Sequence, residues 1–334
     1  MTREKQDMST IGRRGLPALS AALCVPALWP GRARAEEWPA RPVRIVIPYG
    51  AGGAADTMAR LLFARASELL RQPVVIENRT GGNAVPAAGA VLQSPRDGYT
   101  FLIGAAHHVT NPLLLTDIPF DFRTAFAPVT QLCLFNQVLA VRKDYPAEGI
   151  EEFVRTLRAR PGAVTYGTPP AAAIGHLTGE LFQRRAGVRM IHSPYRLATD
   201  AARDVASGAI DAVILTPSTI AQAAQAGRAR LLAVTGGRRT PACPEVPTLA
   251  ETVLPGFDMV DWFGLFAASG TAEPILRRIQ AAVAQAAQDP TVRARLEPTG
   301  GELVASTPDA FGGFLKQQED ILTGLIREAE IRLG

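Results

Sequence analysis

The sequence predicts an α/β fold in which mainly parallel sheets are flanked by helices. Short runs rich in β-branched residues alternate along the chain with segments of helical periodicity. Such alternation is typical of parallel strands connected by helices that cover the sheet. Glycines follow the first of these runs and lead directly into the first helical segment. The chain has 334 residues, of which 299 remain after the N-terminal 35 that are expected to be a removable leader. At about 150 residues per domain this length indicates two domains.

Eight segments are predicted as strands because they are short, apolar and bounded by turn residues. They are Val43–Ile47, Val74–Glu77, Thr100–Ile103, Val138–Arg142, Val164–Tyr166, Met190–His192, Ala212–Leu215 and Leu231–Thr235. Ligands of open α/β sheets bind beyond the carboxyl ends of the strands. The loops after Ile47, Ile103, Tyr166 and Leu215 are therefore the candidates for a binding pocket.

Eight segments are predicted as helices from apolar residues that recur at helical spacing. They are Asp56–Leu70, Ala84–Gln93, Ile150–Arg160, Gly175–Ala186, Thr199–Ser207, Thr219–Ala226, Pro274–Gln288 and Pro308–Glu330. Pro274 and Pro308 suit the first turn of a helix, where a missing backbone N–H costs nothing.

The loop that precedes the first helix carries the main functional signal. The first strand breaks at Pro48 into the glycine cluster Gly50–Gly53, and a helical pattern begins near Asp56. A helix start presents unpaired backbone N–H groups, which favour a carboxylate or phosphate without any cationic side chain. Asp56 is interpreted as a helix cap rather than a ligand contact. Thr168 and the small residues before Gly175 form a second possible anion cradle, although a plain strand-to-helix connection explains them too.

The N-terminal segment has the three parts of a secretory signal peptide. Arg13 and Arg14 precede the mostly apolar stretch 16–28, and Ala33–Ala35 offers an A-x-A cleavage site. We therefore expect residues 1–35 to be removed and the protein to be periplasmic, exported by the Sec or the twin-arginine route. This leader holds six basic and two acidic residues, so the remainder carries 29 of each. A neutral chain does not favour nucleic-acid binding.

Enzyme and cofactor interpretations receive little support from the sequence. The pattern Gly50-x-Gly52-x-x-Ala55 fits a dinucleotide fingerprint, but Pro48 and Tyr49 interrupt the usual strand-to-glycine turn. His107, His108, His176 and His192 lack metal-ligand spacing, and no Gly-x-Ser-x-Gly motif occurs. We predict no catalytic residue, no metal and no cofactor. Cys133 is expected to be a buried thiol, and a bridge to Cys243 is left open.

Ordered matches to one protein family run from about Trp38 to the C-terminus. They are Trp38–Tyr49, Gly52–Asp56, Gln72–Arg79, Pro95–Thr100, His108–Pro112, His176–Phe182, Pro194–Tyr195, Leu231–Thr235, Pro247–Thr248 and Trp262–Leu265. On these residues the chain resembles the Bug-type periplasmic solute-binding receptors of tripartite tricarboxylate transporters.

The resemblance implies a two-lobed Venus-flytrap fold of type II, with a small organic acid held in the cleft largely by backbone N–H groups and bound water molecules. Lobe 1 would combine residues 36–140 and 250–334, and lobe 2 would hold 141–249. The implied protein is a monomer that delivers its ligand to membrane permease subunits. A ligand-sensing partner and, less favoured, an exported enzyme are the alternatives. The candidate ligand-binding residues are Tyr49, Gly50, Gly52, Gly53, Ala54, Ala55, Asp56, Ala106, His107, Thr168, Ala173, His176, Tyr195 and Thr216. His176 is equally interpretable as a structural residue at a helix start.

Several departures from the family pattern remove polar groups. Ala55 stands where a threonine is common, Ala172 and Ala173 replace a hydroxyl-bearing pair, and His107 replaces a hydroxyl-bearing residue. Each unpaired ligand oxygen would cost ~1–3 kcal/mol. One hypothesis is therefore a monocarboxylate or aromatic acid with an apolar body, with His107 as a donor. The alternative is that water molecules fill the gaps.

Overall fold

The computed structural model describes residues 37–169 and 173–328, and the expected signal peptide lies outside these residues. Two sheets form the centre of the described chain. The first has the strand order β11-β4-β10-β3-β1-β2, and the second has the order β7-β6-β8-β5-β9.

The strands of the first sheet come from two separate parts of the chain. They are β1 (Val43–Ile47), β2 (Val74–Asn78), β3 (Thr100–Gly104), β4 (Phe126–Phe135), β10 (Asp261–Ala268) and β11 (Gly301–Leu303). β1, β2 and β3 run parallel, whereas β10 is antiparallel to both β3 and β4.

The strands of the second sheet lie between these two parts. They are β5 (Val138–Arg142), β6 (Thr165–Thr168), β7 (Ile191–Pro194), β8 (Ala212–Leu215) and β9 (Ala229–Val234). β6, β7 and β8 are parallel, and β5 is antiparallel to β8 and β9. The predicted two-lobed α/β fold is therefore confirmed, with the refinement that both sheets are mixed.

The helices cover these sheets. They are α1 (Ala54–Leu70), α2 (Val85–Leu92), α3 (His107–Leu114), α4 (Phe122–Ala125), α5 (Ile150–Ala159), α6 (Ile174–Ala186), α7 (Ala198–Ser207), α8 (Pro217–Gln225), α9 (Glu273–Ala286), α10 (Pro290–Leu296) and α11 (Pro308–Glu328). Pro274 and Pro308 both lie in the first turn of their helices, as predicted. Within the described ranges, no helix combines the length and apolar character that a membrane crossing requires.

The inner strand β1 shows why the sheet needs helices on both faces. Val43, Ile45 and Ile47 belong to one buried cluster with Met58 and Leu62 of α1, whereas Val46 belongs to the cluster on the opposite face. Consecutive side chains of a strand point to opposite faces. A strand that is apolar at nearly every position therefore has both of its faces covered.

The sequence did not predict β4, β10 and β11. β10 has the apolar run Trp262–Leu265 interrupted by Gly264, and glycine weakens a strand signal. The structure supplies the reason for the glycine, because a Cβ atom at this position would lie 2.0 Å from Cζ of Phe311 in α11. The missing side chain at Gly264 therefore leaves room for the ring of Phe311, which lies more than forty residues later in the chain.

The chain passes between the sheets twice. It leaves the first sheet at Phe135 and enters the second at Val138, and it returns between Val234 and Asp261. Thr235 ties the two passages together, because its hydroxyl donates to the carbonyl oxygens of Gln137 and Met259. The predicted lobe boundaries at 140/141 and 249/250 stay predictions. Cys133 is a buried free thiol, as predicted, and Cys243 is also free.

Candidate functional site

The predicted first-lobe residues meet at one edge of the first sheet. The parallel strands β1, β2 and β3 end at this edge, so the loops after Ile47, Asn78 and Gly104 lie side by side. β10 runs the other way, with Gly264 opposite Gly104. Its first residue, Asp261, therefore lies at the same edge, although sequence analysis did not include it.

The start of α1 is the place where the sequence predicts an anion to bind. Gly53 precedes the helix in an extended conformation and offers no side-chain cap. Within the described chain, the backbone N–H groups of Ala54, Ala55 and Asp56 have no protein acceptor. Gly52 has φ +78°, a left-handed conformation that glycine adopts without steric penalty. The loop therefore presents three parallel donors that an external anion can satisfy.

The Asp56 side chain holds this loop in shape. Its carboxylate accepts the Gly52 N–H, the Arg60 guanidinium and the Asn78 amide, each at 2.9 Å. Burial alone would raise the pKa of Asp56, but the hydrogen bonds from Arg60, Gly52 and Asn78 outweigh it and hold this pKa below its ordinary value. Asp56 occupies the third helical position rather than the cap position. It therefore stabilises the helix start by reaching back to the loop.

Tyr49 and His107 form a polar pair next to this loop. The Tyr49 hydroxyl lies 3.0 Å from Nδ1 of His107, and the Tyr49 ring packs edge-on against Phe263 of β10. Burial lowers the pKa of His107 to about 4, so the imidazole is neutral at pH 7. Burial also raises the pKa of Tyr49 well above its ordinary value. Both groups therefore act as neutral hydrogen-bonding partners. The predicted Ala106 is buried directly before α3.

Asp261 adds an acidic group to the same edge. Its carboxylate accepts the backbone N–H of Trp262 at 2.9 Å. Burial raises the pKa of Asp261 to about 7 despite that bond. No signal in the local sequence marks this residue. Its position follows only from the pairing of β10 with β3.

The second-lobe candidates meet at the matching edge of the second sheet. Thr168 ends β6, and Tyr195 and Thr216 directly follow β7 and β8. Ala173 precedes α6 in an extended conformation. A Cβ atom on Gly175 would lie 3.2 Å from the Ile214 carbonyl oxygen, so a glycine lets the start of α6 approach the sheet closely.

The side chains at this second edge are paired with one another. The Thr168 hydroxyl lies 2.8 Å from Nε2 of His192, and the His192 ring stacks on His176 at 3.9 Å. Burial lowers the pKa of His192 to about 3 and also lowers that of His176.

Hydroxyl groups at the second edge show the same pattern. The Tyr195 hydroxyl donates to Asp204 at 2.9 Å. The Thr216 hydroxyl lies 2.8 Å from that of Thr219. Sequence analysis missed His192 because its partners lie on other elements. Among the described residues, no three His, Cys, Asp or Glu side chains are grouped so as to hold a metal ion.

Two lobes, each with a sheet whose loops carry polar groups at one edge, define the class of periplasmic solute-binding proteins. Residues 58–331 match the tripartite tricarboxylate transporter family receptor, and the chain belongs to this family. The predicted Bug-type receptor is thereby confirmed. Members of the family are transport receptors rather than enzymes, in agreement with the absence of a predicted catalytic residue.

Similar proteins span nearly the whole chain. A UPF0065 protein in the tcbD-tcbE intergenic region of Pseudomonas sp. (strain P51) is 31% identical and covers 96% of both chains. Protein BugT of Bordetella pertussis is 30% identical, covering 90% of this chain and 92% of its own.

Two solved structures of similar proteins contain acids. Rpa4515 of R. palustris with adipate has a TM-score of 0.82 at 32% identity, covering 88% of this chain and 99% of its own. MatC from Rhodopseudomonas palustris with bound malate has a TM-score of 0.77 at 27% identity, covering 86% and 99%.

Proposed function

We propose that this receptor captures a small organic carboxylate between its two lobes in the periplasm and presents it to the permease subunits of a tripartite transporter. The observation that carries the proposal is the start of α1, where the N–H groups of Ala54, Ala55 and Asp56 lack a protein acceptor. The helix dipole adds a partial positive charge at the same place. Adipate and malate in two similar structures support a carboxylate as the ligand class.

The first lobe provides most of the polar recognition in this proposal. His107 begins α3, directly after the loop that follows β3, and contacts Tyr49 of the loop that precedes α1. The loop glycines let the ligand approach the backbone. Asp56 acts indirectly, because Gly52, Arg60 and Asn78 already occupy its carboxylate. We assign it the role of a positioning residue.

The second lobe closes over the bound acid. The side chains of Thr168, Tyr195 and Thr216 are engaged within their own lobe. These side chains and the start of α6 at Ala173 therefore form a surface that is ordered before the acid binds. An acid that contacts both surfaces only when the lobes are closed shifts the equilibrium toward the closed state. The residues between the sheets, 135–138 and 234–261, act as the hinge.

The proposal is tested by removing one amide without disturbing the helix. Proline is tolerated at the first helical position, where it lacks only an N–H that the helix does not use. Gly53 before it has φ −74° and ψ 173°, which suits a residue that precedes proline. We expect Ala54→Pro to weaken binding of adipate or malate about 10–100-fold by calorimetry, consistent with the loss of one hydrogen bond to a charged group.

The matched control is Glu273→Pro, at the first position of α9. This helix follows β10 and therefore begins at the opposite edge of the first sheet. Ala272 before it has φ −61° and ψ 132°, which also accommodates a following proline. We expect unchanged affinity in this variant. Equal affinities in the wild type and Ala54→Pro would contradict the role assigned to the α1 amides.

A further inference from the structure

A cavity of about 470 Å³ lies beside the hinge, and none of the candidate ligand-binding residues lines it. Its walls come from both passages between the sheets, at Asn136 and at 237–241, and from α10 and the start of β11 in the first lobe. β11 is the edge strand of the first sheet, and three strands separate it from β1. The cavity is therefore distinct from the start of α1, and a molecule inside it contacts the hinge directly.

Most charged side chains that line this cavity already have a partner. The Arg239 guanidinium donates to the Glu251 carboxylate at 2.9 Å, and the Asp258 carboxylate accepts a backbone N–H at 2.8 Å. Arg238 lies 3.7 Å from Glu302, which is too long for a hydrogen bond, and its side chain is 85% exposed. Arg238 is therefore free to turn toward a molecule in the cavity.

Arg293 of α10 is the lining residue that gains most from a new partner. Its side chain and that of Glu297 form no ion pair or hydrogen bond with the described part of the chain. Glu297 is exposed to water, whereas Arg293 is partly buried. A charge that is partly removed from water is stabilised by an ion of opposite sign. The backbone N–H groups of Arg238 and Arg239 also lack an acceptor among the described residues. The missing partner is therefore an anion.

We propose that this cavity, called the hinge site from here on, binds a small oxyanion, either a phosphate or a carboxylate, between Arg293 and Arg238. The planar guanidinium group pairs with two oxygens of either anion through parallel N–H donors. The anion replaces Glu302 as the partner of Arg238. The receptor then has two ligand sites, one between the lobes and one beside the hinge.

The hinge site is connected to the second lobe through Gly300, which lines the cavity. A Cβ atom at Gly300 would lie 3.1 Å from ring atoms of Pro217, so the two lobes touch at this point. Pro217 begins α8, directly after the candidate ligand-binding residue Thr216. Lobe closure changes backbone angles in the hinge, and an anion that joins the hinge to α10 restrains them. Binding at the two sites is therefore coupled, by the same factor whichever ligand binds first.

The first test is calorimetry of the full chain with inorganic phosphate and with acetate, at low ionic strength and with no acid in the cleft. We expect Arg293→Gln and Arg238→Gln each to weaken binding of the preferred anion about 10-fold or more, because each loses a charge-assisted hydrogen bond. The matched control is Arg295→Gln on the same helix, whose exposed side chain does not line the cavity. It should bind the anion as the wild type does. Tighter binding of phosphate than of acetate would identify a phosphate ligand, and the reverse a carboxylate.

The α1 amides are a second place where these anions can bind, and Ala54→Pro separates the two. This variant should keep the binding that Arg293→Gln loses. If neither anion binds, or if binding is lost in Ala54→Pro and kept in Arg293→Gln, the hinge site does not exist, while the proposed function stands. Should Arg293→Gln not fold, Arg238→Gln decides the question, because its position is exposed.

The coupling is tested by measuring adipate affinity with and without a saturating concentration of the preferred anion. We expect this affinity to change about 5-fold or more in the wild type and to stay constant in Arg293→Gln. An equal change in both proteins would show that the anion only competes in the cleft, and no change in the wild type would show that the sites are independent. If adipate does not bind at all, the proposed function fails, and the phosphate and acetate measurements still decide whether the hinge site exists.

Discussion

The two sheet edges that carry the candidate ligand-binding residues are built in opposite ways. At the first edge, polar groups keep unused hydrogen-bonding capacity: three amides of α1, Nε2 of His107 and the Asp261 carboxyl group. At the second edge, polar side chains satisfy one another, as Thr168 does with His192 and Tyr195 with Asp204. Unpaired polar groups are costly when buried, so they persist where a ligand can pair with them. Under the proposed function, the first lobe would therefore select the ligand, and the second would supply a rigid surface that closes on it.

Removal of the Asp56 side chain should have the largest effect on the first edge. Asp56→Ala leaves the Gly52 N–H without its acceptor and removes one partner each from Asn78 and Arg60. The Asn78 amide keeps its bond to the Tyr49 carbonyl oxygen, and Arg60 keeps its bond to Asn78. Hydrogen bonds to a charged group contribute about 1.5–3 kcal/mol each. The bond from Arg60 contributes less, because the Arg60 side chain is about half exposed to solvent. We expect a loss of about 2–3 kcal/mol in the free energy of unfolding by urea denaturation, and ligand binding weakened together with it.

The matched control is Glu273→Ala in α9. Glu273 and Arg277 have the same spacing as Asp56 and Arg60, but both of their side chains are mostly exposed. Exposed pairs contribute little, so this variant should unfold almost as the wild type does. The folded-state pKa of Asp56 is lowered, so its stabilisation is present at neutral pH and is lost as the pH falls through that pKa. Equal destabilisation by the two substitutions would show that Asp56 has no special role in the loop.

Features that depend on neighbouring residues could be predicted from the sequence, whereas contacts between residues far apart in the chain could not. The first edge was partly predictable, because Gly50–Gly53 and the start of α1 are adjacent in the chain and their conformation depends on neighbouring residues. Asp261 was not, because its place depends on the register of β10 against β3, more than 150 residues away in sequence. The second-edge pairs were missed for the same reason. His192 meets Thr168 across two parallel strands, and nothing local to either residue records that contact.

One tyrosine at each edge allows the two edges to be compared by removing a single oxygen atom. Tyr49→Phe removes the hydroxyl that contacts His107, and Tyr195→Phe removes the hydroxyl that donates to Asp204. We expect Tyr49→Phe to weaken binding of the best carboxylate about 3–10-fold by calorimetry, because His107 loses the group that orients its ring. Tyr195→Phe should lower thermal stability slightly and leave affinity unchanged. The reverse pattern would assign ligand selection to the second lobe.

A further expected effect is a pH dependence that originates at the second edge. The pKa of His192 falls from an ordinary 6.5 to about 3 in the folded protein, because burial disfavours its charged form. The unfolded chain therefore binds one more proton at this residue between these pH values, and stability decreases as the pH falls below about 6.5. His107 contributes in the same direction, with a folded pKa of about 4. Glutamine in place of His192 removes one titrating group and keeps a polar side chain next to Thr168.

Urea denaturation of ligand-free protein between pH 7 and pH 4.5 measures this dependence directly. The slope of unfolding free energy against pH should be shallower in His192→Gln by up to about 1.4 kcal/mol per pH unit, the value for one proton. His107→Gln should flatten the same slope and also weaken ligand binding, since His107 faces the ligand. An unchanged slope in His192→Gln would mean that the imidazole is already protonated or solvated in the folded state. The second edge would then carry a charge. Its polar side chains would not form the neutral, mutually hydrogen-bonded surface that distinguishes it from the first edge.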